Sequence, residues 1–155
     1  MSQTIETQLK AKLQQLQAQH VQNLEAIGKI QLLSSYGRKL DVAGTQEIHK
    51  KHTESENARY NATHNGIEAF ERLLTYAETR RSGQIQRIAQ FLAGAWGVAP
   101  GLKLDCLLSL DKSIGDDMLH VLNAIRWNVV AVFDLAIDGR KRVPAALRAW
   151  GYEVQ

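Results

Sequence analysis

TIETQLKAKLQQLQAQHVQNLEAIGKI, residues 4–30, is the stretch that decides how the N-terminal part of the chain folds. Its apolar side chains recur at steps of four, four and three residues. This eleven-residue repeat averages about 3.67 residues per turn, so the apolar line follows the axis of a nearly straight helix. We call the line the N-terminal stripe; its members are Ile5, Leu9, Leu13, Leu16, His20, Leu24 and Ile27.

The predicted first helix needs another surface against its stripe, because an amphipathic helix is stable only when its apolar face is covered. We expect this helix to begin near Thr4, which suits an N-cap, and to run to about Leu33. Residues 34–37 would end it, since Gly37 suits a left-handed C-terminal cap. Residues 38–44 would then form a connector.

A second, strongly polar helix is predicted over residues 46–64, and the turn-forming pair Asn65-Gly66 would end it. Two interpretations are open for this segment. It forms an antiparallel hairpin with the first helix, which we prefer because the stripe needs cover, or it is partly disordered. Its own weak line consists of Ile48, His52, Ser55, Arg59 and Ala62.

The C-terminal half has a denser apolar periodicity, which is typical of packed amphipathic helices. Helices are expected over residues 67–79, 84–96, 113–137 and 145–150. Within them, the β-branched run 128–137 is interpreted as mostly buried helix, because a single strand would have no partner. Pro144 would open the last helix, and Trp150 would anchor that helix to the core.

The predicted fold class is therefore all-α. Residues 1–65 would form a long N-terminal helix or helical hairpin. Residues 66–155 would form a compact domain of about four to five helices, since the chain is long enough for one domain with a core of its own.

Composition excludes several classes of protein. The 155-residue chain has a net charge of +3 and 23% charged residues, less positive charge than a dedicated nucleic-acid-binding protein carries. A single cysteine excludes an intramolecular disulfide. No apolar stretch approaches the roughly 20 residues that cross a membrane. The N-terminus also lacks the basic and apolar regions of a signal peptide, so we expect a cytoplasmic protein without membrane contact.

No catalytic motif, phosphate-binding loop or dinucleotide fingerprint occurs in the sequence. Two groups of side chains have spacings that a metal ion could use. They are His49, His52 and Glu56, and separately Asp111, Asp116 and Asp117. A solvated helix face and carboxylates at a helix start explain both groups without a metal. We predict no enzyme, no metal and no cofactor; a metal-assisted enzyme built on the three aspartates is a third hypothesis.

Basic clusters supply the candidates for electrostatic contact with a partner. They are Arg80, Arg81, Arg140, Lys141 and Arg142. Gathered on one side of the fold, they would track phosphates, which makes a nucleic-acid-binding accessory protein of a plasmid or phage the alternative function. Interleaved aromatic residues and a helix-turn-helix signature are missing, so this alternative ranks second.

Residues 67–155 resemble an uncharacterised family of small helical domains encoded on bacterial plasmids, integrative elements and phages. The resemblance rests on Ile67–Leu74, Arg87–Leu92, Trp96, Leu110-Asp111, Asp116–Leu119 and Leu147–Trp150. These are mostly packing and capping positions, so the resemblance implies a shared helical fold and supplies no catalytic residues. It also implies an origin on a mobile element, a setting in which small non-enzymatic helical proteins often inhibit host defence, as anti-CRISPR proteins do.

The leading hypothesis is a protein–protein interaction module without catalysis, which dimerises or docks on a partner protein through its N-terminal helix. Within this class we expect an inhibitor of a bacterial defence complex such as CRISPR-Cas, which occludes or displaces protein subunits. The predicted partner-binding residues are Leu9, Leu13, Leu16, His20, Leu24 and Ile27.

Overall fold

The computed structural model describes residues 2–37, 42–99, 104–107, 109–127 and 129–154. These residues form five α-helices and no strand, which confirms the all-α fold class. The helices are α1 (Ser2–Gly37), α2 (Val42–Thr79), α3 (Gly83–Trp96), α4 (Lys112–Trp127) and α5 (Gly139–Ala149). Two short 3-10 helices, Leu104–Leu107 and Val132–Asp134, lie in the connections. None of the described helices is long and apolar enough to cross a membrane.

The chain divides into two compact units, Met1–His64 and Asn65–Gln155. We call the first the N-terminal hairpin and the second the C-terminal unit, and we describe each by itself. Helix α2 contributes residues to both of them.

The ends of the N-terminal helices differ from the sequence-based expectation. Because α1 begins at Ser2, Thr4 lies inside the helix and is not its N-cap, and the helix continues beyond Leu33 to Gly37. Helix α2 begins at Val42, so the predicted connector is wrong for residues 42–44. The rest of that connector, residues 38–41, lies outside the described part of the chain.

Helix α2 does not end at Asn65-Gly66, as the turn signal predicted; it continues to Thr79. Gly66 is buried, and a Cβ atom placed on it would collide with the Cβ of Ala124 and lie 3.2 Å from the carbonyl oxygen of His120. Glycine therefore lets α2 approach α4 closely. It costs the helix roughly 1 kcal/mol relative to alanine, which packing on both sides of the residue offsets.

The core of the C-terminal unit is apolar and is built from the second half of α2 with the helices that follow it. Its largest fully buried side chains include Ile67, Phe70, Leu73, Ile88, Phe91, Met118 and Leu147. The predicted helices over residues 67–79 and 84–96 are confirmed, because their apolar residues at helical spacing line this core. The Ser82 hydroxyl caps the start of α3, and Gly97 ends it at φ 82°.

The segment after α4 is the main error in the predicted C-terminal half. Helix α4 ends at Trp127, and residues 129–138 form a connection outside any α-helix that includes the short 3-10 helix Val132–Asp134. The last helix starts earlier than predicted, at Gly139, because Pro144 is buried inside it and does not open it. Since proline has no N–H, the carbonyl of Arg140 receives no bond from it, a cost that burial of the ring offsets.

We predict that Gly66→Ala destabilises the protein by about 1–3 kcal/mol, because the added methyl group overlaps Ala124 and forces α2 and α4 apart. The matched control is Gly115→Ala on α4, where an added Cβ meets no atom within 4 Å. That substitution should stabilise the same unit by about 0.5–1 kcal/mol. Denaturant unfolding measures both changes, and equal effects of the two variants would contradict the close contact.

Candidate functional site

Helices α1 and α2 run antiparallel in the N-terminal hairpin, as the preferred interpretation predicted. The side chain of Asn23 bonds to Glu56. His20, one turn earlier on α1, reaches both Glu56 and Tyr60, one turn later on α2. Residues later in α1 therefore contact residues earlier in α2, which is the antiparallel arrangement.

The N-terminal stripe is only partly covered in this hairpin. All seven stripe residues are half-buried, and no side chain of residues 3–30 is fully buried. The five apolar positions predicted to bind a partner therefore share one face and keep part of their surface in contact with solvent; they are Leu9, Leu13, Leu16, Leu24 and Ile27. His20 lies within that line and turns towards α2.

A polar cluster fills the middle of the hairpin, and Glu56 is its centre. The Glu56 carboxylate is only 9% exposed. It accepts a hydrogen bond from Asn23 Nδ2 at 2.9 Å, pairs with Arg59 at 2.6 Å, and lies 3.3 Å from His20 Nδ1. The His20 ring stacks on Tyr60 with 4.2 Å between centroids. We call these five residues the hairpin seam.

The weak line predicted along α2 is covered only at its C-terminal end, where Arg59 is half-buried and Ala62 is buried. Ile48 is 59% exposed, and His52 and Ser55 are also exposed. The covered residues of α2 are mainly polar: Thr45, His49, Thr53, Glu56, Tyr60 and Thr63. The apolar periodicity of α2 does not predict this face, because its central residue, Glu56, is held by hydrogen bonds and not by apolar packing. One signal was present: a histidine inside the stripe of a predicted antiparallel hairpin needs a partner on the other helix.

Hydrogen bonding stabilises the ionised form of Glu56. Burial, the largest influence, raises the pKa of Glu56, but hydrogen bonds from Arg59, Asn23 and His20 outweigh it and lower the pKa below the ordinary value of 4.5. A carboxylate with a lowered pKa adds stability that is fully present above its unfolded pKa. That stability is lost as the pH falls through the lower folded value.

We predict that Glu56→Gln lowers the free energy of unfolding at neutral pH by about 1–3 kcal/mol, because it weakens three contacts of a buried carboxylate. The deficit relative to wild type should shrink as the pH falls below 4.5, where wild type loses its own stabilisation. The control is Glu54→Gln, an exposed residue 3.9 Å from Lys50, with an expected change below about 0.5 kcal/mol. Unfolding curves across pH test this, and a deficit independent of pH would contradict it.

Arg142, predicted as an electrostatic contact for a partner, is instead held inside the C-terminal unit. Its guanidinium pairs with Glu71, bonds to Glu78 at 2.8 and 2.9 Å, and donates to the carbonyl of Ile137 at 3.0 Å. Burial opposes its charge, but the hydrogen bonds to Glu78 and Glu71 outweigh this and raise the pKa of Arg142. The sequence does not reveal these contacts, because Arg142 directly follows two other basic residues and nothing in the local pattern distinguishes it from them.

Arg80 and Arg81 also contact their own unit. The guanidinium of Arg80 lies over the Tyr76 ring, and that of Arg81 lies over the Trp150 ring at 4.6 Å from its centroid. Trp150 Nε1 donates to the carbonyl of Ala77 at 2.9 Å, so Trp150 anchors the end of α5 as predicted. Both arginines nevertheless remain exposed.

Arg140 and Lys141 are exposed members of the predicted basic set, as Arg80 and Arg81 are. Arg140 lies 3.5 Å from Asp134 and over the Phe133 ring. Lys141 is exposed and forms no ion pair with any residue that the structure describes. Four of the five predicted cations therefore lie at the surface, and Arg142 is the one that is half-buried.

The acidic residues of α4 have structural roles. Asp117 is buried and receives two hydrogen bonds from Arg72 on α2, at 2.7 and 3.1 Å, while Asp116 is exposed. The backbone carbonyl of Asp111 accepts the first bonds of α4. Within the described residues, no group of three or more histidine, cysteine, aspartate or glutamate side chains is arranged to hold a metal ion.

A family model described as a family of unknown function, DUF7673, matches residues 67–151. The chain belongs to this family. The match covers more than half of the chain, including α3, α4, α5 and residues 67–79 of α2. No curated protein and no solved structure is significantly similar to the chain. The family region contains the ion pairs of Glu71 with Arg142 and of Arg72 with Asp117, while the hairpin seam lies outside it.

We predict that Arg142→Met lowers the free energy of unfolding of the family region by about 3–5 kcal/mol, because it leaves the buried carboxylate of Glu71 without its cation. Lys141→Met is the matched control at the neighbouring exposed position, with an expected change within about 0.5 kcal/mol. Denaturant unfolding compares them. A loss for Arg142→Met as small as that of the control would show that Glu71 does not depend on Arg142.

Proposed function

We propose that this protein is a non-enzymatic interaction module of the cytoplasm, and that its N-terminal hairpin binds a partner protein. The observation that carries the proposal is the half-buried state of the whole N-terminal stripe. Its apolar residues lie on one face of α1: Leu9, Leu13, Leu16, Leu24 and Ile27. The residues of α2 that are covered in the hairpin are mainly polar.

Burial energetics favour further cover of this face. Fully burying a leucine or isoleucine side chain contributes about 1.5–3 kcal/mol relative to leaving it exposed. The hairpin obtains only part of this stabilisation, since α2 presents Thr53, Glu56 and Tyr60 where an apolar helix would present leucines. A partner helix laid along the stripe would gain the remainder, in the way that helix-in-groove complexes form.

For the identity of the partner, we propose a subunit of a bacterial defence complex such as CRISPR-Cas, bound so that it is occluded or displaced. The support for this choice is the resemblance of residues 67–155 to domains encoded on mobile elements. A second copy of the chain is the other protein that the stripe would suit, since an apolar helix face is a common dimer interface.

Binding to nucleic acid is the alternative function, and the contacts of the basic residues favour it less. Arg80, Arg81, Arg140 and Arg142 each contact an acidic or aromatic side chain of the protein itself. Phosphate tracking depends on cations that release counterions on binding. Of the five residues, Lys141 is the one without an ion pair or ring contact to a residue that the structure describes.

We predict that the triple variant Leu13→Ser, Leu16→Ser and Leu24→Ser abolishes capture of the partner, with tagged full-length protein as bait in a bacterial lysate. The matched control replaces three exposed α1 residues, Gln14, Gln17 and Gln22, by serine and should leave capture unchanged. Circular dichroism reports whether the hairpin stays helical, and the single variant Leu16→Ser gives a milder test, with weaker capture expected.

Unchanged capture by the triple variant would refute the role of the stripe. Light scattering identifies the occupant when no foreign protein is captured: a particle of twice 17.3 kDa indicates a second copy. Binding of DNA or RNA that weakens steeply with added salt, and that survives the leucine substitutions, would favour the alternative function.

A further inference from the structure

Five consecutive apolar residues, Val129–Phe133, lie at the surface of the C-terminal unit outside any α-helix. Val129 and Phe133 are 37% and 38% exposed, and Ala131 between them is exposed as well. The chain enters the core directly afterwards at Leu135, which is fully buried. Connecting segments at a protein surface are usually polar, and a continuous exposed apolar patch marks an interaction site.

Phe133 is held in its exposed position. Its ring packs edge-on against Trp96, with 4.6 Å between centroids, and a Cβ on Gly139 would collide with the Phe133 carbonyl oxygen. The ring is therefore fixed before any partner arrives. Such preorganisation lowers the entropy lost on binding.

Two exposed cations follow this apolar segment in the chain. The first turn of α5 contains Arg140, Lys141 and Arg142, although the positive end of a helix disfavours cations. Arg142 is compensated by Glu71 and Glu78, as described above. Arg140 lies over the Phe133 ring and 3.5 Å from Asp134; the two charged side chains are 70% and 52% exposed, and such a pair contributes little stability. A carboxylate from a partner would find Arg140 accessible beside the Phe133 ring, and Lys141 is exposed at the next position.

The composition of the segment favours a protein over a nucleic acid as its ligand. Four of its five residues are aliphatic, so successive bases would find one ring in the segment on which to stack, that of Phe133. Asp134 and Asp138 lie in the same connection and would repel a continuous row of phosphates. A single carboxylate next to an apolar side chain meets less of that repulsion.

We propose that Val129–Phe133, with Arg140 and Lys141, docks a segment of a partner protein in which apolar side chains stand beside aspartate or glutamate. This second surface rests on the proposed function in one respect, that the ligand is a protein. It belongs to the C-terminal unit and shares no residue with the N-terminal stripe, so the two surfaces can be disabled separately.

The test selects peptides from a random display library on the full-length protein, then measures their binding as synthetic peptides by fluorescence anisotropy. We expect the selected peptides to combine acidic with apolar residues. Phe133→Ser, and separately Arg140→Glu with Lys141→Glu, should weaken their binding by about tenfold or more, as truncation of a central interface residue does.

Matched controls place substitutions of the same kind elsewhere in the unit. Leu119→Ser removes another exposed apolar side chain, and Lys112→Glu with Arg148→Glu reverses two other exposed cations. Both should leave peptide binding within about twofold of wild type. The leucine-to-serine triple variant of α1 should bind the peptides normally, so failure of the stripe and failure of this surface give different results.

Three outcomes would overturn the proposal. The selected peptides lack acidic residues, or their binding is unaffected by Phe133→Ser and by the double charge reversal, or the controls weaken it equally. A single-stranded oligonucleotide that binds more tightly than the peptides, with affinity lost on reversal of Arg140 and Lys141, would assign the surface to nucleic acid instead. Thermal unfolding of Phe133→Ser shows that the variant is folded; the charge reversal, at exposed positions, tests the surface independently of it.

Discussion

The buried carboxylate of Glu71 fixes the position of the chain that follows α4. It accepts the backbone N–H of Ile137 at 3.0 Å and pairs with the guanidinium of Arg142, which returns a bond to the Ile137 carbonyl. A carboxylate out of water costs several kcal/mol unless donors surround it. Because those donors come from the connection and from α5, both must lie against α2 for the unit to fold.

The sequence predicts the helices whose apolar residues repeat at helical spacing, and it fails where a distant contact decides the conformation. Residues 67–79 and 84–96 follow the periodic rule and are helical. Residues 129–137 show no helical periodicity, and their conformation depends on Glu71, which is 66 positions away from Ile137. Gly66 likewise looks like a turn residue until α4 lies against it. Local pattern contains no information about either contact.

In the candidate site, too, the features defined by local spacing could be predicted and those defined by distant contacts could not. The N-terminal stripe could be predicted, because its apolar spacing alone defines it. The hairpin seam could not, since Glu56 and Tyr60 become important only when α2 pairs antiparallel with His20. Among the basic residues, Arg140 and Arg142 are two positions apart on one helix and face different surroundings. Sequence neighbours therefore give no indication that one arginine is exposed and the other is enclosed by two glutamates.

Buried ionic groups have different consequences in the two units. In the C-terminal unit, Glu71 and Arg142 lie beside a continuous apolar core that supplies most of the folding free energy. In the hairpin, Glu56 and its partners occupy the place of a core. A buried polar cluster adds little net stability compared with apolar packing, yet it disfavours other registers, because a shift by one turn would separate the Glu56 carboxylate from His20 and Asn23 on α1. The cluster therefore selects one pairing of the two helices but adds little to the free energy of unfolding of the hairpin. Its half-buried leucines are the part of the chain where added apolar contact would change the free energy most, which is the physical basis of the proposed binding there.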